Sequence, residues 1–248
     1  MSALDIRNLT LRFGGLKAID DLSFSVPVGE RLVIFGPNGA GKTTLFNVIT
    51  GLFAPTEGSV RMFGTDLAGH DVAGRVAMGL GRTFQISTLF PRLTVLESAM
   101  LAIQAGRPGR FNMFRPLASS KAIRSRALGL LDEWGVADKA NTFTMNLSYG
   151  EQRQVELVLA LAREPRLLLL DEPAAGLSVA ETARVEAMVA SFPRDITVVL
   201  IEHDVDMALR LADRVLVLQQ GALATSGTPD EIRNDPMVAE IYFGADHV

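Results

Sequence analysis

Apolar and polar residues alternate over positions 4–13, where Leu4, Ile6, Leu9, Leu11 and Phe13 mark one side of a half-buried strand that Gly14-Gly15 ends. Positions 19–26 repeat the alternation, and Pro27-Val28-Gly29-Glu30 turn the chain into Arg31–Phe35, an apolar-rich run suited to a buried strand. A helix follows over 45–50 and stops at Gly51; residues 55–58 form a turn, 59–63 a strand, 71–78 a short helix, and 81–84 a strand leading to Gln85. From Ile86 to about Asn146 the strand signals vanish. Residues 94–104 and 120–134 have helical periodicity and flank a basic Gly/Pro/Arg-rich loop at 106–116 (Arg107, Arg110, Arg115) that carries Phe111, Met113 and Phe114. A helix over 151–163 is expected to return the chain to the α/β body. The apolar run 167–170 then ends in Asp171-Glu172, Thr197–Ile201 ends at Glu202-His203-Asp204, and strands over 214–218 and 222–225 join across Gly221. Ser178 with Glu181 three positions on opens the helix Val179–Ala190, another covers 205–212, and Thr228-Pro229-Asp230-Glu231 opens a last one. The pattern predicts an α/β body with an inserted helical lobe.

Composition narrows the class of chemistry. The chain has 248 residues, 48% hydrophobic and 21% charged, enough for a large globular core. A formal net charge of −4 is poor electrostatics for tracking nucleic acid, so no nucleic-acid partner is expected. The absence of cysteine excludes a disulfide scaffold, a thiolate metal site and a cysteine nucleophile, and suits a cytosolic protein. The first residues lack the basic-then-apolar order of a signal peptide, and no apolar run approaches the roughly 18 residues of a membrane span.

Candidate chemistry begins at Gly36, Pro37, Asn38, Gly39, Ala40, Gly41, Lys42, Thr43 and Thr44, which fit the phosphate-binding pattern G-x-x-x-x-G-K-[ST]. Glycines let the backbone curl so that several N–H groups face one anion, and the helix behind adds its positive end. Lys42 supplies a mobile charge for β- and γ-phosphates, and the Thr43 hydroxyl can ligand Mg²⁺. A Gly-rich turn with a stray lysine would match by chance in roughly one chain of this length in a hundred, and strand before with helix after reduces that further. Gly36, Gln85, Asp171-Glu172 and His203 each follow an apolar strand run, where α/β folds place their ligand sites. A strand leaving the core could also end in carboxylates, and a lone histidine is commonly a surface residue. Beside a phosphate loop, the same residues read as a Walker B pair: Asp171 for the Mg²⁺ shell, Glu172 to polarise water, and His203 as a γ-phosphate contact.

Leu147-Ser148-Tyr149-Gly150-Glu151-Gln152, just before a helix, offers a serine hydroxyl, a glycine N–H and a helix N-terminus as a second anion site. The segment resembles the L-S-G-G-Q signature of ABC-transporter ATPases, and with the preceding motifs in this order the chain is similar to that family over nearly its whole length. The resemblance implies an α/β fold: a P-loop NTPase (RecA-like) core with an N-terminal antiparallel β subdomain and an inserted α-helical subdomain. The single ABC ATPase domain 1–248 would divide into a core over 1–85 and about 160–226, a helical subdomain over about 86–159, and a C-terminal helical tail over 227–248. It also implies ATP and Mg²⁺ as cofactors, with two such domains pairing head to tail around each nucleotide. Lys42 and the loop would hold phosphates, Thr43 and Gln85 would complete Mg²⁺ coordination with Asp171 in the outer shell, and Glu172 would be the catalytic carboxylate beside His203. Phe13 matches the aromatic that stacks on adenine, while Ser148, Gly150 and Glu151 would reach the nucleotide of the other subunit. Tyr149 replaces the first signature glycine, and Ser178 stands where most members carry aspartate.

Within the family, G-R-T-F-Q at 81–85, the S-Y-G variant, D-E-P-A-A-G-L at 171–177 and the ending Ile241-Tyr242-Phe243-Gly244 resemble the ATPases of bacterial importers for branched-chain amino acids and related amides or acids. The lipopolysaccharide exporter ATPase has a similar frame; Tyr149 and the loop 106–116 favour the importer. The resemblance implies a peripheral subunit on the cytoplasmic face of the inner membrane. Its partners would be transmembrane permease subunits, a second ATPase subunit (a paralogue or another copy) and, indirectly, a periplasmic solute-binding protein. Phe90, Leu93, Phe111, Met113 and Phe114 are candidate permease contacts. A soluble ABC ATPase of DNA repair or translation would carry tandem nucleotide domains, a coiled coil with a Cys-x-x-Cys hook or a basic linker, which this sequence lacks. Intact Glu172 and His203 argue against a regulatory subunit without turnover.

Overall fold

The computed structural model describes residues 1–83, 89–105 and 120–243. In chain order the first elements are β1 (Ser2–Phe13), β2 (Leu16–Pro27), β3 (Arg31–Phe35), α1 (Lys42–Thr50), β4 (Glu57–Met62), β5 (Thr65–Asp66), α2 (Val72–Ala77) and β6 (Leu80–Arg82). Helices α3 (Val95–Ala105), α4 (Lys121–Glu133) and α5 (Tyr149–Leu161) follow, with short 3₁₀ turns at Ala137–Lys139 and Thr144–Asn146. The remainder is β7 (Leu167–Asp171), α6 (Val179–Ala190), β8 (Thr197–Ile201), α7 (Val205–Leu211), β9 (Arg214–Gln219), β10 (Ala222–Gly227), α8 (Pro229–Arg233) and α9 (Pro236–Phe243). The chain divides into two compact units, one of Met1–Arg82, Arg166–Glu172 and the chain from Phe192 onward, the other of Thr83–Pro165 and Pro173–Ser191.

The first unit holds an antiparallel sheet in the order β2-β1-β4-β5 and a six-stranded sheet in the order β10-β9-β3-β8-β7-β6. In β1 the apolar period skips from Ile6 to Leu9 because the pairing with β2 shifts there. Asn8 absorbs the extra residue at φ 46°, with its amide held by Asp21 at 2.9 Å. In the larger sheet β3 runs parallel to β8 and β9, and β7 runs parallel to β8 and β6. Their side chains are apolar on both faces, as parallel strands covered on both sides require: Leu167, Leu168, Leu169 and Leu170 are each 0% exposed. Leu45, Phe46 and Ile49 of α1 join Leu4, Ile6 and Leu9 of β1 and Leu169 and Val199 of the parallel sheet in one core. Gly51 closes α1 at φ 85°, as the glycine stop predicts.

The second unit is helical, with a core of Val95, Ala99 and Ile103 from α3, Ile123, Ala127 and Leu131 from α4, and Val155 and Val158 from α5. Helix α5, expected over 151–163 to rejoin the body, instead begins at Tyr149 and belongs with the second unit, as does α6. The reason lies in its apolar stripe: Val155, Val158 and Ala162 face Leu96 and Leu131 rather than the strands. The two-residue strand β5 has no counterpart in the sequence pattern read above, whereas α8 and α9 fall within the helical tail expected over 227–248. Phe84, Gln85 and the loop 106–116 with Phe111, Met113 and Phe114 lie outside the described residues.

Because Leu169 is central in β7 and fully enclosed, Leu169→Ala is expected to cost about 2–5 kcal/mol. Urea unfolding should show an earlier midpoint at unchanged slope; a loss under about 1 kcal/mol would contradict this packing.

Candidate nucleotide site

Parallel alignment of β9, β3, β8, β7 and β6 brings their carboxyl ends to one sheet edge. There Gly36 follows β3, Asp171 ends β7 with Glu172 next, and Glu202-His203 follow β8, so three of the strand-end stations meet as the sequence predicts. Gln85, the fourth, lies outside the described residues.

The loop from Gly36 to Gly41 is shaped by close backbone packing. Gly36 sits at φ 149° against the Leu218 carbonyl, and a Cβ on Gly41, at φ 96°, would come 2.5 Å from the Ala18 carbonyl oxygen. The Ala40 N–H donates to Pro37 O at 3.1 Å and the Gly221 N–H to Ala40 O at 3.1 Å, while Asn38 and Gly39 form an exposed tip. Helix α1 then starts at Gly41 with no side-chain cap and no acidic residue in its first turn. The contrast is local and chemical: α2, α4, α5, α6, α7 and α8 are capped by Asp71, Ser120, Ser148, Ser178, Asp204 and Thr228. The first amides of α1 are therefore left to an anion. The Lys42 ammonium donates to Gly36 O at 2.6 Å and Pro37 O at 3.0 Å. Burial lowers its pKa, and the charges of Glu172 and Asp171 oppose that shift. Thr43 is exposed on the first turn and Thr44 half-buried.

At the end of β7, the Asp171 side chain is 2% exposed; its Oδ2 accepts from Arg82 Nη2 at 3.0 Å, whereas its Oδ1 is buried without a hydrogen-bond partner among the described residues. Burial raises the Asp171 pKa, and the hydrogen bond and charge of Arg82 offset part of the rise. Glu172 takes φ 49°, a left-handed conformation costing on the order of 1–3 kcal/mol for a residue with a Cβ. Its N–H donates to Ile201 O at 2.9 Å and its Oε1 meets His203 Nε2 at 2.6 Å, so β8 holds both the main chain and the carboxylate. The His203 N–H in turn donates to the buried carboxylate of Glu202 at 3.1 Å. A bare buried carboxylate oxygen on Asp171 and an exposed hydroxyl on Thr43 fit a hydrated Mg²⁺, a hard cation that takes oxygen ligands and keeps water. Phe13, at the end of β1, is 47% exposed with its edge against Phe53 at 5.3 Å and 79°, leaving ring surface open.

In the helical unit Ser148 caps α5: its Oγ accepts from Glu151 N at 3.3 Å, and Glu151 Oε2 accepts from Ser148 N at 2.8 Å. Lys139 also bonds Glu151, at 2.8 Å, and lowers the Glu151 pKa, with the Ser148 N–H adding to the shift. Tyr149 is 44% exposed and receives a hydrogen bond from Arg153 Nη2 at 3.2 Å. The carboxylate of Glu181 lies against the buried Gly150, and its Oε2 accepts from Ser178 N at 3.0 Å and Ser178 Oγ at 2.6 Å. These bonds, the Ser178 hydroxyl first, lower the Glu181 pKa. A Cβ on residue 150 would come 2.3 Å from Glu181 Oε1, so that carboxylate would have to move aside. Two residues here escaped the sequence reading: Arg82 counted only as part of a motif, and Glu181 only as a cap. The cap pattern identifies Ser178 and Glu181 but carries no trace of Gly150.

A glycine loop running from a parallel strand into a bare helix start, with a lysine inside and a carboxylate pair at the end of β7 on the same sheet edge, defines a P-loop nucleotide-binding ATPase. The sequence model of the ABC transporter family matches residues 19–175, and the chain belongs to that family. It is 37% identical over 248 residues, 97% of each chain, to the high-affinity branched-chain amino acid transport ATP-binding protein LivG of Escherichia coli (strain K12). The ADP conformation of an ATP-binding cassette of an ABC transporter superposes with a TM-score of 0.87 at 30% identity, over 98% of this chain and 99% of that one. A dimeric post-hydrolysis cassette bound to ADP and Pi superposes with a TM-score of 0.76 at 27% identity, over 91% and 98%.

The lowered Glu181 pKa has a defined sign: the charged form stabilises the fold above the ordinary value of 4.5, and the benefit is lost as pH falls through the lower folded value. Glu181→Gln should therefore melt below the native protein at pH 7, with the gap closing under pH 4.5 in a scanning-fluorimetry series. Melting curves separated equally at every pH would contradict the charge-assisted contact.

Proposed function

We propose that this chain is the ATP-hydrolysing subunit of a bacterial importer for branched-chain amino acids or related amides and carboxylates. The observation that carries the reading is the uncapped start of α1, with Lys42 at its mouth and the Glu172–His203 pair on the same sheet edge. ATP phosphates would take the free amides, drawing the Lys42 ammonium off the Gly36 and Pro37 carbonyls. Thr43 and Gln85 would hold Mg²⁺ with Asp171 behind its water shell, and the ion supplies charge neutralisation on the phosphate oxygens. Glu172 would take the proton of the attacking water while His203, now on Oε1, turns to the γ-phosphate. Phe13 would stack on adenine through its open face.

Ser148, Gly150 and Glu151 serve a nucleotide held by a second ATPase subunit, a paralogue or another copy; the solved dimeric cassette supports such pairing. The chain sits on the cytoplasmic membrane face against permease subunits served by a periplasmic solute-binding protein. No described helix is long and apolar enough to cross a membrane. An apolar patch of Phe90, Phe143 and Met145, 58%, 47% and 63% exposed, supports a permease contact. It is firmly built: the Thr144 N–H donates to Leu93 O at 2.9 Å and its hydroxyl to Phe90 O at 2.6 Å.

Glu172→Gln is expected to bind ATP and to accumulate as a closed dimer by size exclusion, while phosphate release falls about 10²–10⁴-fold. Native turnover in that variant would remove Glu172 from the mechanism. Expressed with its neighbouring genes, the chain should co-purify with membrane permease subunits, and recovery only as a free protein would overturn the transporter reading.

A further inference from the structure

The buried guanidinium of Arg82 has no part in the chemistry above, yet it touches the Walker B aspartate. Its side chain, 7% exposed, ends β6 between β7 and α1. Nη2 donates to Asp171 Oδ2 at 3.0 Å, Nη1 donates to Asn47 Oδ1 at 2.7 Å and Thr50 Oγ1 at 3.2 Å, and the plane lies 5.6 Å from the centre of the Phe46 ring. Thr50 passes the restraint on, since its hydroxyl donates to Phe46 O at 2.8 Å. One rigid fork thus joins the P-loop helix to the metal-shell strand. Stability alone is a weak reason for such a pair, because two charges at 7% and 2% exposure lose much of their attraction to desolvation. What the pair does achieve is an orientation. With Oδ2 engaged, the carboxylate cannot rotate freely, and Oδ1 is the oxygen left buried without a hydrogen-bond partner among the described residues.

We propose that Arg82 is a positioning residue for Mg²⁺: it fixes Asp171 through Oδ2 so that Oδ1 receives the water shell of the ion, and it ties that orientation to α1 through Asn47 and Thr50. The proposal rests on the reading of Asp171 as the metal-shell carboxylate. Lysine cannot substitute, because a point charge cannot span Asp171 and the α1 acceptors at once. Outer-shell groups that orient metal-binding residues typically contribute 10–100-fold to metal affinity.

The test uses the full-length protein with ADP and Mn²⁺, the free and bound ion being separated by electron paramagnetic resonance. Nucleotide affinity is measured in parallel with a fluorescent ADP analogue in EDTA, and melting temperature by fluorimetry. Arg82→Lys and Arg82→Met should each weaken Mn²⁺ binding about 10–100-fold while metal-free nucleotide affinity stays within about twofold. Asn47→Ala, which leaves the Asp171 pair intact, should give a smaller shift and keeps the test open if Arg82→Met does not fold. Asp171→Asn separates the two readings. If it leaves Mn²⁺ affinity unchanged, Asp171 is not in the metal shell and the premise fails. If it weakens Mn²⁺ binding while both Arg82 variants bind Mn²⁺ normally and merely melt earlier, Arg82 is structural only and the proposal is overturned.

Discussion

The amides at the start of α1 point into a loop that offers them no side chain, and much of the first unit serves to keep them bare. An uncapped helix start in a protein interior is costly unless water or an anion satisfies it. The loop can leave that start open because its glycines adopt backbone angles that let Leu218 and Ala18 carbonyls press close, and because Gly221 ties the loop to the β9–β10 turn. The same packing prevents the loop from collapsing onto its own donors. The parallel sheet supplies the rest: strands aligned in one direction deliver the carboxylates of β7 and the histidine after β8 to the same edge.

Each charged group at that edge is held by a specific partner. Lys42 is parked on carbonyls within reach of the fields of Asp171 and Glu172, Asp171 is countered by Arg82, and Glu172 Oε1 meets His203 Nε2 at 2.6 Å. Catalysis of phosphoryl transfer needs this arrangement more than it needs covalent chemistry, since the charge develops on oxygens that fixed donors must already face. The strained φ of Glu172 belongs to the same design, turning the chain sharply as it leaves the strand after Asp171.

The elements were readable where period and punctuation agree. The run Arg31–Phe35, the helix Val179–Ala190 behind its capping box and the strand Thr197–Ile201 match the structure residue for residue, because apolar runs, Ser/Glu caps and glycine stops are local signals. The phosphate loop was legible for the same reason. Less accessible were features set by which face meets which neighbour. The apolar stripe of α5 does not say which core it joins, a two-residue strand such as β5 has no period, and an arginine in Gly81-Arg82-Thr83 gives no hint of a carboxylate nearly ninety positions away. Phe143 and Met145 likewise became part of a surface patch only once Thr144 anchored them beside Phe90.

The carboxylate of Glu181 beside the Gly150 amide has a further consequence, one of competition. A ligand that uses this amide must displace an anion already tethered to the same unit, so its apparent affinity is lowered by the fraction of molecules in which the carboxylate is away. If that fraction were about one in ten, the binding constant would be weakened about tenfold. The displaced glutamate would still cap α6 through Ser178, so the exchange would disturb little else. The start of α5 is therefore not a vacant anion site, because the Glu181 carboxylate already lies against Gly150.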